Sequence, residues 1–507
     1  MWVTTAAEMR ELEERAVANG ASLESLMENA GRAVFQALQH MAEPGSTVAV
    51  VCGKGNNGGD GLVVARLSHD AGYNVGLFIA AKEGSLDGLP ATMLARALER
   101  GLRPLYLSDD AQFRTLSEFG NCRVLVDALL GTGANRPLEG PTKRCVEACS
   151  GFAGLVLSID VPSGVHCDTG AILGTSIRAT RTIVLGCSKP YLFQGEGQTM
   201  AGDWSVADIG LNLDGNTIRT GARLPDVRLP EESRSKASHK GDNGKVLIVA
   251  GSRRYRGAAV LAAMGAFRAG SGLVTVASIE PVIEAVAGCF PEVTFVPLPE
   301  EQGAISPKAA DILAQEWAKH TVAVVGPGLT TAPGVKNLLE RLWSDWTLPT
   351  VVDADALNLV AQGVSLPRGL CVLTPHPGEA GRLLGIDVTS VEADRFSAAR
   401  ALSKKYGCAV LLKGAFSVYA ASPQDSLVIN PTGNSGMAAA GMGDVLSGVI
   451  AATFGQFVTH GFTDAGWLGA LWHGAAGDLA AEEIGKIGYS ASQLAQFLPR
   501  ARSNLTK

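Results

Sequence analysis

Several short segments combine acids, amides and glycines where an apolar run gives way to a helical one, the junction at which backbone amides meet anions. Residues 53–61 read GKGNNGGDG directly after the run Val48 to Cys52 and before a helical pattern from Leu62 to His69. Gly53, Gly55 and Gly58 satisfy GxGxxG, in which glycine lets the backbone approach a phosphate and the helix start favours its charge. Asn56, Asn57 and Asp60 add side-chain oxygens that an ordinary dinucleotide loop lacks, and a tight Asn/Gly turn fits the same segment. VLVDALLGTGANRP brings Asp127 to a strand end ahead of Gly131 and Gly133, and GLVLSIDVPSG does the same for Asp160 and Ser163. Each aspartate alone fits a loop cap. Three polar strand ends together predict one crevice, because ligands of doubly wound sheets bind at the carboxyl ends of strands.

The second half carries a different set. In NSGMAAAGMGDVLSGVIAATFG, residues 434–455, Gly441, Gly443 and Asp444 precede an apolar helical run. Amides at that helix start can form an anion hole with Asp444 beside it as a proton acceptor, the pairing that phosphoryl transfer requires. A cap on a core helix is the other reading of the same residues. VVDADALN gathers Asp353, Asp355 and Asn358, LTPHPGEAGRLLG brings His376 and Glu379 to a helix start, and KGAFSVYA offers Lys413 and Ser417 around a glycine turn. YRGAAVLAA and VGPGL are compact strand-to-helix approaches. Taken singly, His376 also fits a capping or packed residue and Lys413 a solvated one.

The elements that must position these groups follow from periodicity. Thr5 caps a first helix that Gly20 ends, and a second, Leu23 to Met41, aligns Leu26, Met27, Ala30, Val34, Ala37 and Leu38. The apolar runs STVAVVC, NVGLFIA, CRVLVDALL, GLVLSID and RTIVLG alternate with helical stretches, as do KVLIVAG, LVTVAS, VTFVPL, TVAVVG, TVVDADAL, CVLTPHP and CAVLLKG later on. Short continuous apolar runs separated by helices predict parallel sheets covered on both faces. Between about Gly210 and Gly244 the chain turns charged and proline-bearing, an exposed connection between two different α/β domains. A length of 507 residues asks for at least two.

Composition narrows the function. Hydrophobic residues at 46% and charged residues at 18% exclude a disordered chain, and a net charge of −6 supplies no basic field for nucleic acid. The 61 glycines, about 12% against a usual share of roughly 7%, fit tight turns at phosphate sites. Nine cysteines without a CxxC fit a reducing cytoplasm. The acidic N-terminus has no apolar signal core, and Val445 to Thr463 carries enough Ser, Thr, Gln and Gly to predict a buried helix instead of a membrane span.

Jointly, LMENAGRAV, GKGNNGGDG, VDALLGTG and IDVPSG resemble the NAD(P)HX epimerase domain family over about residues 1–210. The resemblance implies a Rossmann-like doubly wound domain, residues 1–215. It implies hydrate binding by Asn56, Asn57, Gly58, Gly59 and Asp60, by Gly131, Thr132, Gly133, Ala134, Asn135, Arg136 and Pro137, and by Asp160. It also implies a K+ ion held by Asn57, Asp127 and Ser163, a set whose oxygens suit a hard cation. The hydrate carries a hydroxyl on C6 beside the ring nitrogen, which can expel it to an iminium ion that water re-enters from either face. Asp160 is the candidate acid/base for that oxygen. Some members keep this fold as a binding module.

VDADALN, LTPHPGE and GMGDVLSG, in that order, resemble the ribokinase-like ADP/ATP-dependent NAD(P)H-hydrate dehydratase family over about residues 230–500. The resemblance implies a ribokinase-like α/β domain, residues 225–507, with hydrate at Ala259, Gly328, His376 and Asp444. It places the adenine nucleotide at Lys413, Gly414, Ala415, Phe416, Ser417 and Gly443; Ser417 stands where threonine is common and keeps a hydroxyl. It further implies Mg2+, a homo-oligomer of four or more subunits, NADHX and NADPHX as substrates, and ADP in preference to ATP, as in prokaryotic fusions. Asp444 is the expected base for phosphorylating the C6 hydroxyl, after which phosphate leaves. A small-alcohol kinase with an accessory nucleotide-binding domain is the alternative activity.

Overall fold

The computed structural model describes residues 1–107, 122–211, 221–230, 237–457 and 465–506. They divide into two compact units, Met1–Ala222 and Arg223–Lys507. The expected charged connection and the end of the Val445 to Thr463 run lie partly outside the described residues.

In the first unit the strands β1 (Thr47–Cys52), β2 (Asn74–Ile79), β3 (Leu105–Tyr106), β4 (Cys122–Ala128), β5 (Leu155–Ile159), β6 (Arg181–Leu185) and β7 (Asp203–Ala207) form one sheet. Their order is β3-β2-β1-β4-β5-β6-β7, and every pairing is parallel. Period-2 alternation explains how both faces are covered. Val48, Val50 and Cys52 of β1 pack with Ala30, Val34 and Leu62 on one face, while Ala49 and Val51 pack with Cys145, Val146 and Cys149 on the other. The first helix, Ala6–Ala18, is closed by a capping box from Thr5, and the second runs Leu23–Gln39 with the expected apolar stripe buried. The strand order reverses between β1 and β4, the switch point at which Rossmann-like sheets open a crevice.

The helix after β1 begins earlier than its apolar pattern predicts. It runs Asn56–Asp70, so most of GNNGGDG is helical. Here the glycines serve close approach. A Cβ at Gly53 would lie 1.9 Å from the Leu129 carbonyl, and one at Gly58 1.9 Å from the Gly53 carbonyl. Gly61 packs against Ala128 and Cys52 with no room for a side chain.

In the second unit β8 (Lys245–Val249), β9 (Leu273–Ser278), β10 (Thr294–Pro297), β11 (Val322–Val325), β12 (Thr350–Val352), β13 (Cys371–Leu373) and β14 (Ala409–Leu412) are parallel neighbours in the order β10-β9-β8-β11-β12-β13-β14. Two further strands, β15 (Val418–Ala420) and β16 (Leu427–Ile429), continue the sheet antiparallel. They were not expected, because Val418–Ala420 follows directly on a segment that reads as a glycine turn and Leu427–Ile429 is a lone apolar triplet between polar residues. The helix Met442–Phe457 is buried on every side beyond its first turn and lies against the helix Arg256–Arg268. The approach is backbone to backbone: a Cβ at Gly448 would be 2.1 Å from the Ala262 carbonyl, and one at Gly265 2.2 Å from that of Val445. Six of the nine cysteines, Cys52, Cys145, Cys149, Cys167, Cys187 and Cys371, are buried, and none is in a disulfide.

Candidate active sites

At the switch point of the first sheet, two predicted residues bond Leu130 and a third joins them through one of these. Asn57, in the first turn of Asn56–Asp70, donates from Nδ2 to the Leu130 carbonyl at 2.8 Å. The Leu130 amide donates to Ser163 Oγ at 2.9 Å, and that hydroxyl donates to Asp127 Oδ1 at 2.5 Å. Asp127 is wholly buried at the end of β4, and its Oδ2 accepts from the Ser158 hydroxyl and the Ser163 amide, each at 2.9 Å. Burial pushes the Asp127 carboxyl up while these donors pull it back. The donor set of carboxylate, amide and hydroxyl oxygens is what a K+ ion takes, so the residues fit that ion. At Gly131 a Cβ would lie 3.2 Å from that of Asn57, and Gly133 to Pro137 continue as a largely exposed segment.

Asp160, just past β5, has φ of 65°. Left-handed backbone costs a non-glycine residue of order 1 kcal/mol or more, and it persists only where the surroundings enforce it. Here the Asp160 amide donates to Ile183 and the Tyr191 hydroxyl donates to the Asp160 carbonyl at 2.7 Å. Its Oδ1 accepts from the Leu185 amide at 2.9 Å and from Nζ of Lys189, which is fully enclosed and also donates to the Leu185 carbonyl. Asp60 is buried nearby, and burial together with the charges of Asp160 and Glu13 pushes its carboxyl well above the usual range. Asn56 stands in the same first turn, with Gly58 and Gly59 between it and Asp60. Neither Lys189 nor Glu13 stood out in the sequence. Each sits in a segment that also reads as surface, and only the fold reveals a lysine buried against Asp160.

In the second unit the groups at the ends of β12, β13 and β14 meet the start of Met442–Phe457. Asp353 is 1% exposed; its Oδ1 accepts from Lys413 Nζ at 2.7 Å and its Oδ2 from the Ser447 hydroxyl at 2.5 Å. Ser447 is a further group that sequence reasoning passed over, hidden as an ordinary helix serine one turn after Gly443. Lys413 Nζ also lies 3.8 Å from Glu379, whose carboxyl is pushed up to about 7, chiefly by burial. Asp444, in the first helical turn, is likewise raised to about 7 by burial and by the charge of Asp353, against the pull of Lys413. A Cβ at Gly443 would be 3.6 Å from Lys413 Nζ, which puts this residue in the same cluster.

His376 is the N-cap of the helix Pro377–Leu384: Nδ1 accepts from the Gly378 amide, and Glu379 closes the capping box. Burial and the nearby Lys413 push its pKa down, which favours a neutral ring. Asp355 caps the turn at Thr330, accepting its amide at 2.8 Å, and Asn358 links Asp355 to Arg382. Gly328, at φ of 64°, turns against Tyr255 at the head of Arg256–Arg268, and Ala259 in that helix is fully enclosed. Gly414, Ala415 and Phe416 make a turn after β14 in which the Ser417 hydroxyl donates to the Gly414 carbonyl at 3.1 Å.

Two parallel α/β units, each with acids and glycines gathered at its strand ends, define a two-site α/β enzyme. A family model described as YjeF-related protein N-terminus matches residues 23–191, and one described as NAD(P)H-hydrate dehydratase matches residues 246–500. The chain belongs to the bifunctional NAD(P)H-hydrate repair enzymes, with epimerase and dehydratase activities in one polypeptide. The relative so named from Thermofilum pendens is 37% identical over 99% of this chain and 96% of its own length. That from Escherichia coli is 35% identical over 95% of this chain and 90% of its own. A crystal structure of the ADP/ATP-dependent NAD(P)H-hydrate dehydratase from Bacillus subtilis, co-crystallised with ATP/Mg2+, is 32% identical, covering 55% of this chain and 95% of that chain with a TM-score of 0.48.

Proposed function

We propose that residues 1–215 interconvert the R and S forms of NADHX and NADPHX, and that residues 225–507 dehydrate the S form with ADP as phosphoryl donor. The single observation that carries the second step is the Asp444 carboxyl, raised to about 7 beside Gly443, Lys413 and Asp353. A base poised near the working pH is what proton removal from a hydroxyl needs. Asp444 accepts the C6 hydroxyl proton as that oxygen attacks the β-phosphorus of ADP, releasing AMP. Lys413 and the amides about Gly443 hold the charge on the moving phosphoryl group. The ring nitrogen then expels phosphate, and loss of a C5 proton restores the dihydronicotinamide. Mg2+ fits as a companion of the nucleotide phosphates, which needs only one or two protein carboxylates.

In the first unit Asp160 passes the proton to the departing C6 hydroxyl and takes one from the returning water. Lys189 keeps its Oδ1 oriented, leaving Oδ2 for the substrate. K+ at Asn57, Asp127 and Ser163 supplies a fixed positive charge beside the bound hydrate. Asn56 to Asp60 and Gly131 to Pro137 line the same crevice for its phosphates. The enzyme works as a homo-oligomer in the cytoplasm; no helix among the described residues is long and apolar enough to cross a membrane.

The decisive experiment mixes the full chain with racemic hydrate and either ADP or ATP. Complete conversion to dihydronicotinamide with release of phosphate and AMP is expected with ADP. A phosphorylated product that accumulates without dihydronicotinamide absorbance would instead establish the small-alcohol kinase.

A further inference from the structure

Arg395 opens the helix Arg395–Tyr406, and its guanidinium is 2% exposed. A buried cation is ordinarily matched by a carboxylate. The nearest partner of that kind, Glu392, lies 4.0 Å from Nε and is half exposed, and Nε has no hydrogen-bond partner. The other arms of the fork point at backbone. Nη1 donates to the Ala415 carbonyl, and Nη2 donates to the carbonyls of Lys413 at 3.2 Å and Leu412 at 3.4 Å. The contact extends to Gly414: a Cβ there would lie 2.6 Å from Nη2. One side chain thus gathers the carbonyls of residues 412, 413 and 415 beneath the turn that follows β14.

These bonds orient the turn. A carbonyl held by Arg395 cannot rotate outward, where its dipole would repel an anionic ligand. The same fork fixes the backbone of Lys413, whose Nζ must reach Asp353 and the phosphoryl group. A planar guanidinium spans three diverging acceptors in a way that an ammonium group cannot. We propose that Arg395 is the positioning residue of the nucleotide turn, setting the affinity of the dehydratase for ADP or ATP without touching either. This rests on the assignment of Lys413 to Ser417 as the nucleotide site.

The test uses the full chain with Arg395→Gln, Arg395→Lys and, as a reference for the turn itself, Ser417→Ala. Initial dehydration rates are measured against ADP and, separately, against hydrate, and ADP binding is followed by calorimetry. Losing charge-assisted bonds to the turn is expected to raise the nucleotide KM and Kd of Arg395→Gln by roughly tenfold or more. The hydrate KM and epimerisation are expected to stay near wild type, and Arg395→Lys to fall between. If Arg395→Gln does not fold, Arg395→Lys and Gly414→Ala, which presses on the guanidinium from the turn, carry the same split. A raised nucleotide KM in Ser417→Ala with none in the Arg395 variants overturns the positioning role alone. Equal losses in kcat and both KM values reduce Arg395 to a purely structural residue. An unchanged nucleotide KM in all of them overturns the nucleotide site and the inference together.

Discussion

Asp444 and Glu379 share Lys413 as a neighbour and are both lifted to about 7, yet only Asp444 stands at the start of the helix that follows GMG. A base must be ionised to act. With a carboxyl near 7, Asp444 is protonated below that pH, so kcat/KM for dehydration is expected to rise with pH through about 7 and level off above it. Asp444→Asn should lower dehydration by at least about a hundredfold and abolish that limb, while nucleotide binding and epimerisation survive. Glu379→Gln should keep the limb. If the limb follows Glu379 instead, the base has been misassigned. In the first unit, Asp127→Ala removes the carboxylate on which the Ser158 and Ser163 hydroxyls converge. Epimerisation should lose its response to added potassium, read from epimer exchange with and without the ion, while dehydration is unaffected. Asp127, Asp160 and Asp353 were legible because aspartate at an apolar strand end is conspicuous. Lys189, Arg395 and Ser447 were not, since burial of a cation or a helix serine depends on distant segments that no local pattern records.

Most of the parallel strands were readable as elements because they are short uninterrupted apolar runs, the signature of burial on both faces. What escaped were elements with little apolar run to show: β3, β7 with its sequence DWSVA, the antiparallel pair β15 and β16, and the start of Asn56–Asp70, whose glycines read as a loop. In that helix and in Met442–Phe457, glycine marks tight packing more than flexibility. Gly448 is the sharpest test. Gly448→Val would press into the Ala262 carbonyl and force apart the two helices that carry Ala259 and Asp444. Overpacking of this kind costs about 1–3 kcal/mol, and backbone obstruction puts it at the upper end. Thermal unfolding should report a loss of stability with dehydration depressed, and epimerisation at permissive temperature should be retained. Depression of both activities to the same degree would deny that this packing serves one site.

At the scale of the molecule, two chemically different activities belong to two compact units. A substrate epimer rejected by one can be remade by the other and released into solution. Full chains bearing Asp160→Asn and full chains bearing Asp444→Asn should therefore complement each other when mixed. The first consumes only the S form, the second only exchanges the forms, and the mixture should drive racemic hydrate to completion. Failure of the mixture, with each variant active in its own assay, would mean that the epimer must pass within one polypeptide. The cysteines add a property of the whole. Burial drives the thiols of Cys145, Cys371 and Cys408 up to about 12, and those of Cys52, Cys149, Cys167 and Cys187 upward as well, which suppresses the thiolates that oxidants and alkylating agents attack. Cys289, exposed at the end of the helix Glu280–Cys289, stands apart from them. A maleimide dye should settle there in preference to the rest, giving a fluorescent handle on the native enzyme, and peroxide should spare both catalytic centres.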